Sequence, residues 1–195
     1  MRSWGYKESP YDSRDMIFSA PEKVENSGYI LENLPSIVDQ GPSPICAAVS
    51  LYNIINWQNK AKDNGVKVKY WDIYDLRDDK SMQGMVPRQA LSALKKEGVD
   101  GYKIKAYARV DSIEDAKFAL LINGPLLAGF IAYNEGCFWE QTGPELGGHA
   151  VTLTGFNKDG FILRNSWGTD WMSGGETIFP YSDWEKVLEC WTIMI

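Results

Sequence analysis

The sequence has little cysteine, only one histidine and no long apolar run. Its three cysteines are an odd number and too few for a disulfide framework, so at least one thiol is free in the monomer and a reducing compartment is expected. The cysteines and the histidine lack the paired close spacings of a zinc site, and we expect neither a metal nor a cofactor. No run approaches the about 18 uninterrupted apolar residues of a membrane span, and the N-terminus lacks the apolar core of a secretory signal. A membrane partner is therefore not expected.

Basic residues are fewer than acidic residues in this sequence. Lysine and arginine total 20 against 26 acidic residues, which gives a net charge of −6, and they form no cluster. Phosphate backbones are bound through basic surfaces, so a nucleic-acid partner is not expected. The 195 residues, 44% hydrophobic and 24% charged, are enough to bury a full core in a globular protein. We interpret the eight tryptophans, ten tyrosines and seven phenylalanines as packing residues.

Residues 1–33 show no sustained helical or strand periodicity. They carry isolated aromatic side chains at Trp4, Tyr6, Tyr11 and Phe18, which a disordered tail is expected to lack. The segment is therefore predicted to be an extended arm packed on the folded body. The alternative is an inhibitory arm that occupies a cleft.

The remainder, residues 34–195, changes character along its length. Helices are predicted over 45–63, 70–76, 86–98 and 113–122, and strands over 98–107, 126–132, 150–156, 161–165 and 191–195. A helical first half followed by a sheet-rich second half predicts an α+β fold.

A cysteine, a histidine and an asparagine stand at the ends of predicted elements. Cys46 falls in the first turn of a helix after Pro44, where unpaired backbone amides and the helix dipole are expected to lower the pKa of a thiol. His149 opens a strand and Asn165 closes the next one, with a hairpin turn over 157–160 between the strands, so their side chains can be neighbours. A thiol, a base and an orienting group are the residue set of nucleophilic catalysis.

In their local contexts these residues resemble the papain-like cysteine peptidases. The family pattern has a glutamine six residues before the nucleophilic cysteine, then Gly-His-Ala, then Asn-Ser-Trp-Gly. This chain has Gln40 and Cys46, then Gly148-His149-Ala150, then Asn165-Ser166-Trp167-Gly168, in the same order. The resemblance runs from about residue 34 to the C-terminus and is greatest to compact prokaryotic or phage-type members.

The resemblance implies a two-lobe fold with the active cleft between a helical lobe, about 34–100, and an antiparallel sheet lobe, about 101–195. By the same resemblance, Cys46 is the nucleophile and His149 is the general base that later protonates the leaving amine. Asn165 orients the imidazole, and the Gln40 amide forms an oxyanion hole with the Cys46 backbone N–H.

Three further residues are expected to contact substrate. They are Gly84, which represents the family's glycine-rich wall, Gly148, and Trp167, which covers the histidine and asparagine pair. The chain departs from the family at Pro44-Ile45, in place of Gly-Ser, and at Ala47, in place of tryptophan. These departures alter the shape of the cleft more than its chemistry.

The expected function is peptide hydrolysis through a covalent thioacyl intermediate, with a peptide or protein substrate. One alternative keeps the fold as a structural or binding component of a larger assembly such as a virion. Another is a cysteine-dependent amidase or transferase. The expected location is cytoplasmic or particle-associated.

Overall fold

The first half of the folded body is helical. The computed structural model describes residues 2–25, 28–63, 65 and 67–195. Its helices in this half are α1 (Cys46–Ala61), α2 (Tyr70–Tyr74) and α3 (Pro87–Lys96). Each lies within the range predicted from the sequence. Pro87 stands at the start of α3, where the missing N–H of a proline has no helical partner to lose.

The second half is dominated by antiparallel strands. The remaining elements are β1 (Tyr29–Ile30), β2 (Ala106–Arg109), α4 (Ile113–Asn123), β3 (Leu126–Ala132), β4 (Gly147–Phe156), β5 (Gly160–Arg164), β6 (Glu176–Pro180), a 3-10 helix (Tyr181–Lys186) and β7 (Glu189–Met194). The described strands form one sheet in the order β2-β7-β3-β4-β5-β6, with β1 paired to β4. A helical lobe followed by an antiparallel sheet lobe confirms the predicted α+β fold.

Hydrogen bonds account for the start of α4 and confirm the hairpin turn predicted over 157–160. Ser112 caps α4, since its hydroxyl accepts a 3.1 Å bond from the Asp115 backbone N–H. The turn between β4 and β5 is closed by a 2.9 Å bond from the Asn157 N–H to the Gly160 carbonyl. This hairpin sets β4, which carries His149, beside β5, which ends just before Asn165.

The strand predicted over 98–107 begins later than expected, at Ala106. Gly98, Asp100 and Gly101 adopt positive φ angles of 81°, 47° and 80°, which an extended strand does not permit. The strands β1 and β6 and the 3-10 helix had no counterpart in the sequence prediction. β6 lies at an edge of the sheet and fully buries only Phe179, so its sequence lacks the alternation of a half-buried strand.

The sheet has a core on each face. On one face α1 packs against β4, and the buried Asn53 amide donates a 3.0 Å bond to Thr152 Oγ1 across that contact. The core on the other face is largely aromatic and includes Phe130, Phe138 and Trp167. No helix in the described ranges is long and apolar enough to cross a bilayer.

Residues 2–25 run over the body as irregular chain with isolated β-bridges at Tyr6 and Ile17. The Phe18 N–H donates a 2.8 Å bond to the Arg109 carbonyl of β2, and the Arg109 N–H donates one to the Met16 carbonyl. The Ala20 N–H donates a 2.7 Å bond to the Asp115 carboxylate in the first turn of α4. This part of the segment is therefore fastened to the sheet lobe by backbone bonds as well as by its aromatic side chains.

Candidate active site

Cys46 begins α1 at the junction of the two lobes and has no exposed surface. Burial raises the pKa of its thiol, and hydrogen bonding from the backbone N–H groups of Ala150, Gly5 and Ala47 acts in the opposite direction. The position of Cys46 in the first turn of a helix predicted a lowered pKa for its thiol, and that prediction is wrong for this structure. Desolvation of the thiolate outweighs the stabilisation supplied by the amides.

His149 and Asn165 form the pair expected from the hairpin. His149 Nε2 lies 2.7 Å from Asn165 Oδ1, and both side chains are buried. Asn165 Oδ1 also accepts a 2.8 Å bond from the Ser166 backbone N–H, which fixes the amide with its oxygen toward the imidazole. Since a carbonyl oxygen only accepts, Nε2 carries the proton and Nδ1 is the basic nitrogen. His149 Nδ1 makes no hydrogen bond in this structure.

The imidazole is enclosed by aromatic rings. Trp167 stacks on it with ring centroids 4.6 Å apart, as predicted for a residue that covers the pair. Phe138 and Trp4 meet it edge-on at 4.9 Å and 5.8 Å. This enclosure lowers the pKa of His149 from 6.5 to about 4, chiefly through burial, while the Asn165 hydrogen bond raises it and the Arg2 charge lowers it further.

Gln40, six residues before Cys46, has every polar atom of its side-chain amide bonded. Its backbone N–H donates a 2.8 Å bond to the Ser166 carbonyl, which joins the segment before α1 to the loop after β5. Its Nε2 donates a 2.8 Å bond to the Ser43 carbonyl and a 2.9 Å bond to the Ser3 carbonyl. An amide nitrogen has two hydrogens, so both are used, one by the local turn and one by the N-terminal segment.

Ser166 is a site residue to which the sequence analysis assigned no role. Its hydroxyl donates a 2.6 Å bond to Gln40 Oε1 and thereby fixes which way the amide faces. The residue stands inside the Asn-Ser-Trp-Gly motif, between Asn165 and Trp167, and its position there was the available signal.

The three predicted substrate-contact residues surround the N-terminal segment. The Gly148 carbonyl accepts a 3.0 Å bond from the Tyr6 N–H. A Cβ atom built on Gly84 would lie 2.7 Å from the Gly5 carbonyl oxygen. Trp167 meets the Trp4 ring edge-on at 5.6 Å. The structure thus brings Gly84, Gly148 and Trp167 around one groove, which residues 2–7 fill. Their contact with substrate stays a prediction.

The other two cysteines are Cys137, which is partly buried, and Cys190, which is buried in β7. All three cysteines are free thiols, so the predicted free thiol is confirmed. Burial raises the pKa of both Cys137 and Cys190. Within the part of the chain that the structure describes, no three histidine, cysteine, aspartate or glutamate side chains are grouped to hold a metal ion.

Solved structures with the same fold are cysteine proteases. Xylellain, a cysteine protease from Xylella fastidiosa, superposes with a TM-score of 0.86 at 22% identity, over 99% of this chain and 96% of its own. Procathepsin B S9 from Trypanosoma congolense gives a TM-score of 0.79 at 18% identity, over 98% of this chain and 85% of its own. At such identities the likeness shows the fold alone.

Sequence comparison supplies the family. The family model for papain family cysteine proteases matches residues 57–179, more than half of the chain. The chain therefore belongs to the papain family of cysteine proteases, as the motifs predicted. The matched range includes His149 and Asn165 and begins after Gln40 and Cys46.

Individual relatives are similar over parts of their length. A cathepsin B-like cysteine proteinase 3 from Ostertagia ostertagi is 29% identical over 57% of this chain and 69% of its own. An uncharacterized peptidase C1-like protein of Acanthamoeba polyphaga mimivirus is 38% identical over 36% of this chain and 27% of its own. Cathepsin B of Dictyostelium discoideum is 32% identical over 43% and 30%. The chain thus spans less than a third of the last two. The compact prokaryotic or phage type stays a prediction.

Proposed function

We propose that this protein hydrolyses peptide bonds through Cys46, His149 and Asn165, with Gln40 as an oxyanion donor. The observation that carries the proposal is the bonding of His149. Its Nε2 is held by Asn165 Oδ1 at 2.7 Å and its Nδ1 is left without a partner. The backbone amide of Ala150, the next residue along β4, acts to lower the pKa of the Cys46 thiol against the effect of burial. A base held by Asn165 with its other nitrogen unbonded, next in sequence to an amide that acts on the thiol, supports this proposal.

The first half of the proposed reaction forms a thioester. The Cys46 S–H proton passes to His149 Nδ1, and the sulfur adds to the substrate carbonyl carbon. Negative charge develops on the carbonyl oxygen, where the Gln40 Nε2–H and the Cys46 backbone N–H donate to it. The C–N bond then breaks as His149 returns its proton to the leaving amine, which leaves the acyl group on sulfur.

The second half of the reaction releases the acid. His149 accepts a proton from water, and the resulting hydroxide oxygen adds to the thioester carbon. The C–S bond breaks, the sulfur regains its proton from the imidazolium, and the carboxylic acid departs. Asn165 keeps Nε2 protonated throughout, so Nδ1 alone exchanges protons with thiol, amine and water.

The test is thiol labelling followed by turnover, done on the variant Gly5→Ala. Its added Cβ atom would stand 2.0 Å from the Pro44 carbonyl oxygen and is expected to displace residues 2–7 from the groove. An iodoacetamide-type probe is expected to label Cys46, and the His149→Ala variant is expected to lose that labelling. Hydrolysis of a peptide library is expected to disappear in Cys46→Ala and to persist in the matched control Cys137→Ala. Full hydrolysis by Cys46→Ala, or His149-independent labelling, would contradict the proposal.

Intact-mass measurement of the trapped acyl-enzyme separates peptide hydrolysis from the alternative reactions. A peptide substrate leaves its N-terminal part on Cys46 as a thioester of matching mass. An amidase or transferase acting on another amide would leave a different acyl mass and no peptide fragments.

A further inference from the structure

One side of the groove is a short loop whose position is set by residues outside it. We propose that Tyr74 and Arg77, here called the clamp, are positioning residues. They hold residues 82–85, here called the wall, where the backbone of a substrate binds. This role rests on the proposed function, because it concerns how a peptide is aligned with Cys46. The position of the wall can be measured without turnover.

The wall presents the backbone of Met85 to a peptide in the groove. In this structure the Met85 N–H donates a 2.7 Å bond to the Gly5 carbonyl, and the Lys7 N–H donates a 3.0 Å bond to the Met85 carbonyl. Across the groove the Gly148 carbonyl accepts a 3.0 Å bond from the Tyr6 N–H. An extended peptide can therefore bond both sides of the groove through main-chain atoms, as strands do in a sheet.

The spacing between Met85 and Gly148 allows little error. Hydrogen bonds from N–H to oxygen span about 2.7–3.2 Å and weaken steeply when donor and acceptor are misaligned. A displacement of the wall by about 1 Å exceeds that range and would lose the bonds to one side of the groove. The contacts that fix the wall therefore influence how tightly a peptide binds.

The wall has no secondary structure of its own to fix it. Residues 82–84 form bends, and Met85 is joined to Tyr6 by one isolated β-bridge. Gly84 has a φ angle of 90°, a left-handed conformation that neither a helix nor a strand continues. Once residues 5–7 leave the groove that bridge is lost, so contacts from elsewhere must hold the wall for a substrate.

Tyr74 holds Gly84, which lies within the wall. The tyrosine is the last residue of α2, is 7% exposed and lies in the same core as α1. Its hydroxyl accepts a 3.1 Å bond from the Gly84 N–H, and this bond is buried. A buried N–H needs an acceptor, so the bond favours the observed position of the loop over others.

Arg77 ties Met82, at the start of the wall, to the end of α2. Its Nη1 donates a 2.8 Å bond to the Met82 carbonyl, and its Nε donates a 2.8 Å bond to the Tyr74 carbonyl. The guanidinium carbon lies 3.4 Å from the centroid of the Tyr74 ring, which is a cation–π contact. The planar guanidinium directs its donors in a fixed fork, so it sets the distance from α2 to the wall.

Both ends of this arrangement are fixed parts of the helical lobe. In α2, Ile73 and Tyr74 are buried in the same core as Leu91 of α3. The wall is followed almost directly by α3, which begins at Pro87. The loop between α2 and α3 is therefore anchored at both ends, and the clamp determines its course between them.

The first test is amide hydrogen exchange at Gly84, measured in the full chain carrying Gly5→Ala. This parent is used because displacement of residues 2–7 is expected to leave the wall without its present occupant. Tyr74→Phe removes one oxygen atom and keeps the ring beside Arg77. Exchange at Gly84 is expected to rise about fivefold or more, because its N–H loses its acceptor.

The matched control is Tyr70→Phe, which removes the same atom from the first residue of α2. The Tyr70 ring meets the Tyr52 ring of α1 edge-on at 5.7 Å, and neither hydrogen bond from the clamp to the wall involves it. Exchange at Gly84 is expected to be unchanged in this variant. Equal exchange at Gly84 in the parent and in Tyr74→Phe would overturn the clamp.

Peptide hydrolysis by the same proteins measures what the wall contributes. Tyr74→Phe and Arg77→Met are each expected to raise KM about three- to tenfold and to change kcat by less than about twofold. The reason is that backbone bonds to the wall hold the ground state and the transition state alike. Arg77→Lys keeps a donor for the Met82 carbonyl and is expected to lie between Arg77→Met and the parent. An unchanged KM in both Tyr74→Phe and Arg77→Met would overturn the clamp.

A modified substrate distinguishes alignment of the wall from a general loss of stability. In the parent, N-methylation of the peptide N–H that bonds the Met85 carbonyl is expected to raise KM, and a scan of singly N-methylated peptides identifies that position. In Tyr74→Phe the bond is already misaligned, so the same methyl group is expected to raise KM by less. An equal rise in the two proteins would contradict the role of the clamp in presenting Met85.

The outcomes keep the two proposals apart. Faster exchange at Gly84 in Tyr74→Phe, without hydrolysis by the parent, would support the clamp and contradict the proposed peptidase reaction. Hydrolysis that is the same in the parent, Tyr74→Phe and Arg77→Met would overturn the clamp and support that reaction.

Discussion

The Ser166 hydroxyl donates a 2.6 Å hydrogen bond to Gln40 Oε1, so the loop after β5 orients an amide that belongs to the segment before α1. The adjacent backbone bond, from the Gln40 N–H to the Ser166 carbonyl at 2.8 Å, fixes the distance between the two residues. One serine therefore determines the direction in which the proposed oxyanion donor faces.

Removing that hydroxyl should slow turnover. In the Gly5→Ala background, Ser166→Ala frees the Gln40 amide to rotate, and we expect kcat to fall with little change in KM. The reference is Gln40→Ala, expected to lose about 10²–10³ in kcat, as is typical when one oxyanion donor is removed.

The double variant decides whether Ser166 acts through Gln40. Residues that act as one unit give non-additive effects, so Gln40→Ala with Ser166→Ala should be no slower than Gln40→Ala alone. Fully additive losses would show that Ser166 has a separate role.

Asn165→Ala should affect both stability and rate. It leaves His149 Nε2 and the Ser166 backbone N–H without their acceptor in a buried site. An unsatisfied buried group costs about 1–3 kcal/mol, so the free energy of unfolding should fall by at least that amount. Urea denaturation measures this fall, and a kcat unchanged in the Gly5→Ala background would contradict the orienting role of Asn165.

The stability of the natural chain should depend on pH through His149. Its native pKa of about 4 lies below the 6.5 of a free imidazole, so the unfolded chain binds the proton more readily. The contribution of the neutral ring is complete above about pH 6.5 and is lost as the pH falls toward 4. The shift corresponds to about 3 kcal/mol of unfolding free energy at most.

Because His149 is the sole histidine, a substitution isolates this dependence. His149→Asn should remove the part of the pH dependence between pH 7 and 4.5 that carboxylates do not explain. Gly5→Ala should reduce it, since displacement of residues 2–7 hydrates the ring and removes the Arg2 charge. The same pH dependence in the natural chain and His149→Asn would contradict this assignment.

Glu189 should stabilise the protein through two buried donors. Its carboxylate accepts the Ser9 N–H at 3.2 Å and the Trp191 Nε1–H at 2.7 Å. The Tyr6 hydroxyl makes no hydrogen bond of normal geometry, although the carboxylate lies close enough to raise the pKa of Tyr6 in addition to the effect of burial.

We expect Glu189→Ala to lower the unfolding free energy by about 2 kcal/mol or more. The exposed Glu185→Ala is the control, and an equal effect in both would count against this reading.

The features that could be predicted from the sequence are those that depend on the local pattern of residues. Cys46 begins α1 as the proline and the helical periodicity required, and the turn at Asn157 made neighbours of His149 and Asn165. Their bonded geometry follows from strand register, which a hairpin turn and alternating side chains specify.

What the sequence did not predict depends on contacts distant along the chain. The sequence left open whether the N-terminal arm packs on the body or occupies a cleft, and only the folded lobes show that Trp4 and Tyr6 lie in the cleft. The raised pKa of Cys46 also depends on the folded structure, because it follows from complete burial of the thiol. The strand prediction for residues 98–101 failed for a local reason, since three residues there adopt left-handed backbone conformations that a strand does not permit.

The two backbone bonds of Tyr6 and Lys7 have a consequence for how the molecule opens. Neighbouring N–H groups bind opposite lobes, one at Gly148 and the other at Met85. The segment therefore links the two lobes through adjacent residues. Separation from the Gly148 side strains the bond on the Met85 side, and the reverse also holds. Exchange of these two amide hydrogens with solvent deuterium should occur in one cooperative opening, at one shared rate, and that rate measures how often the two lobes release the segment.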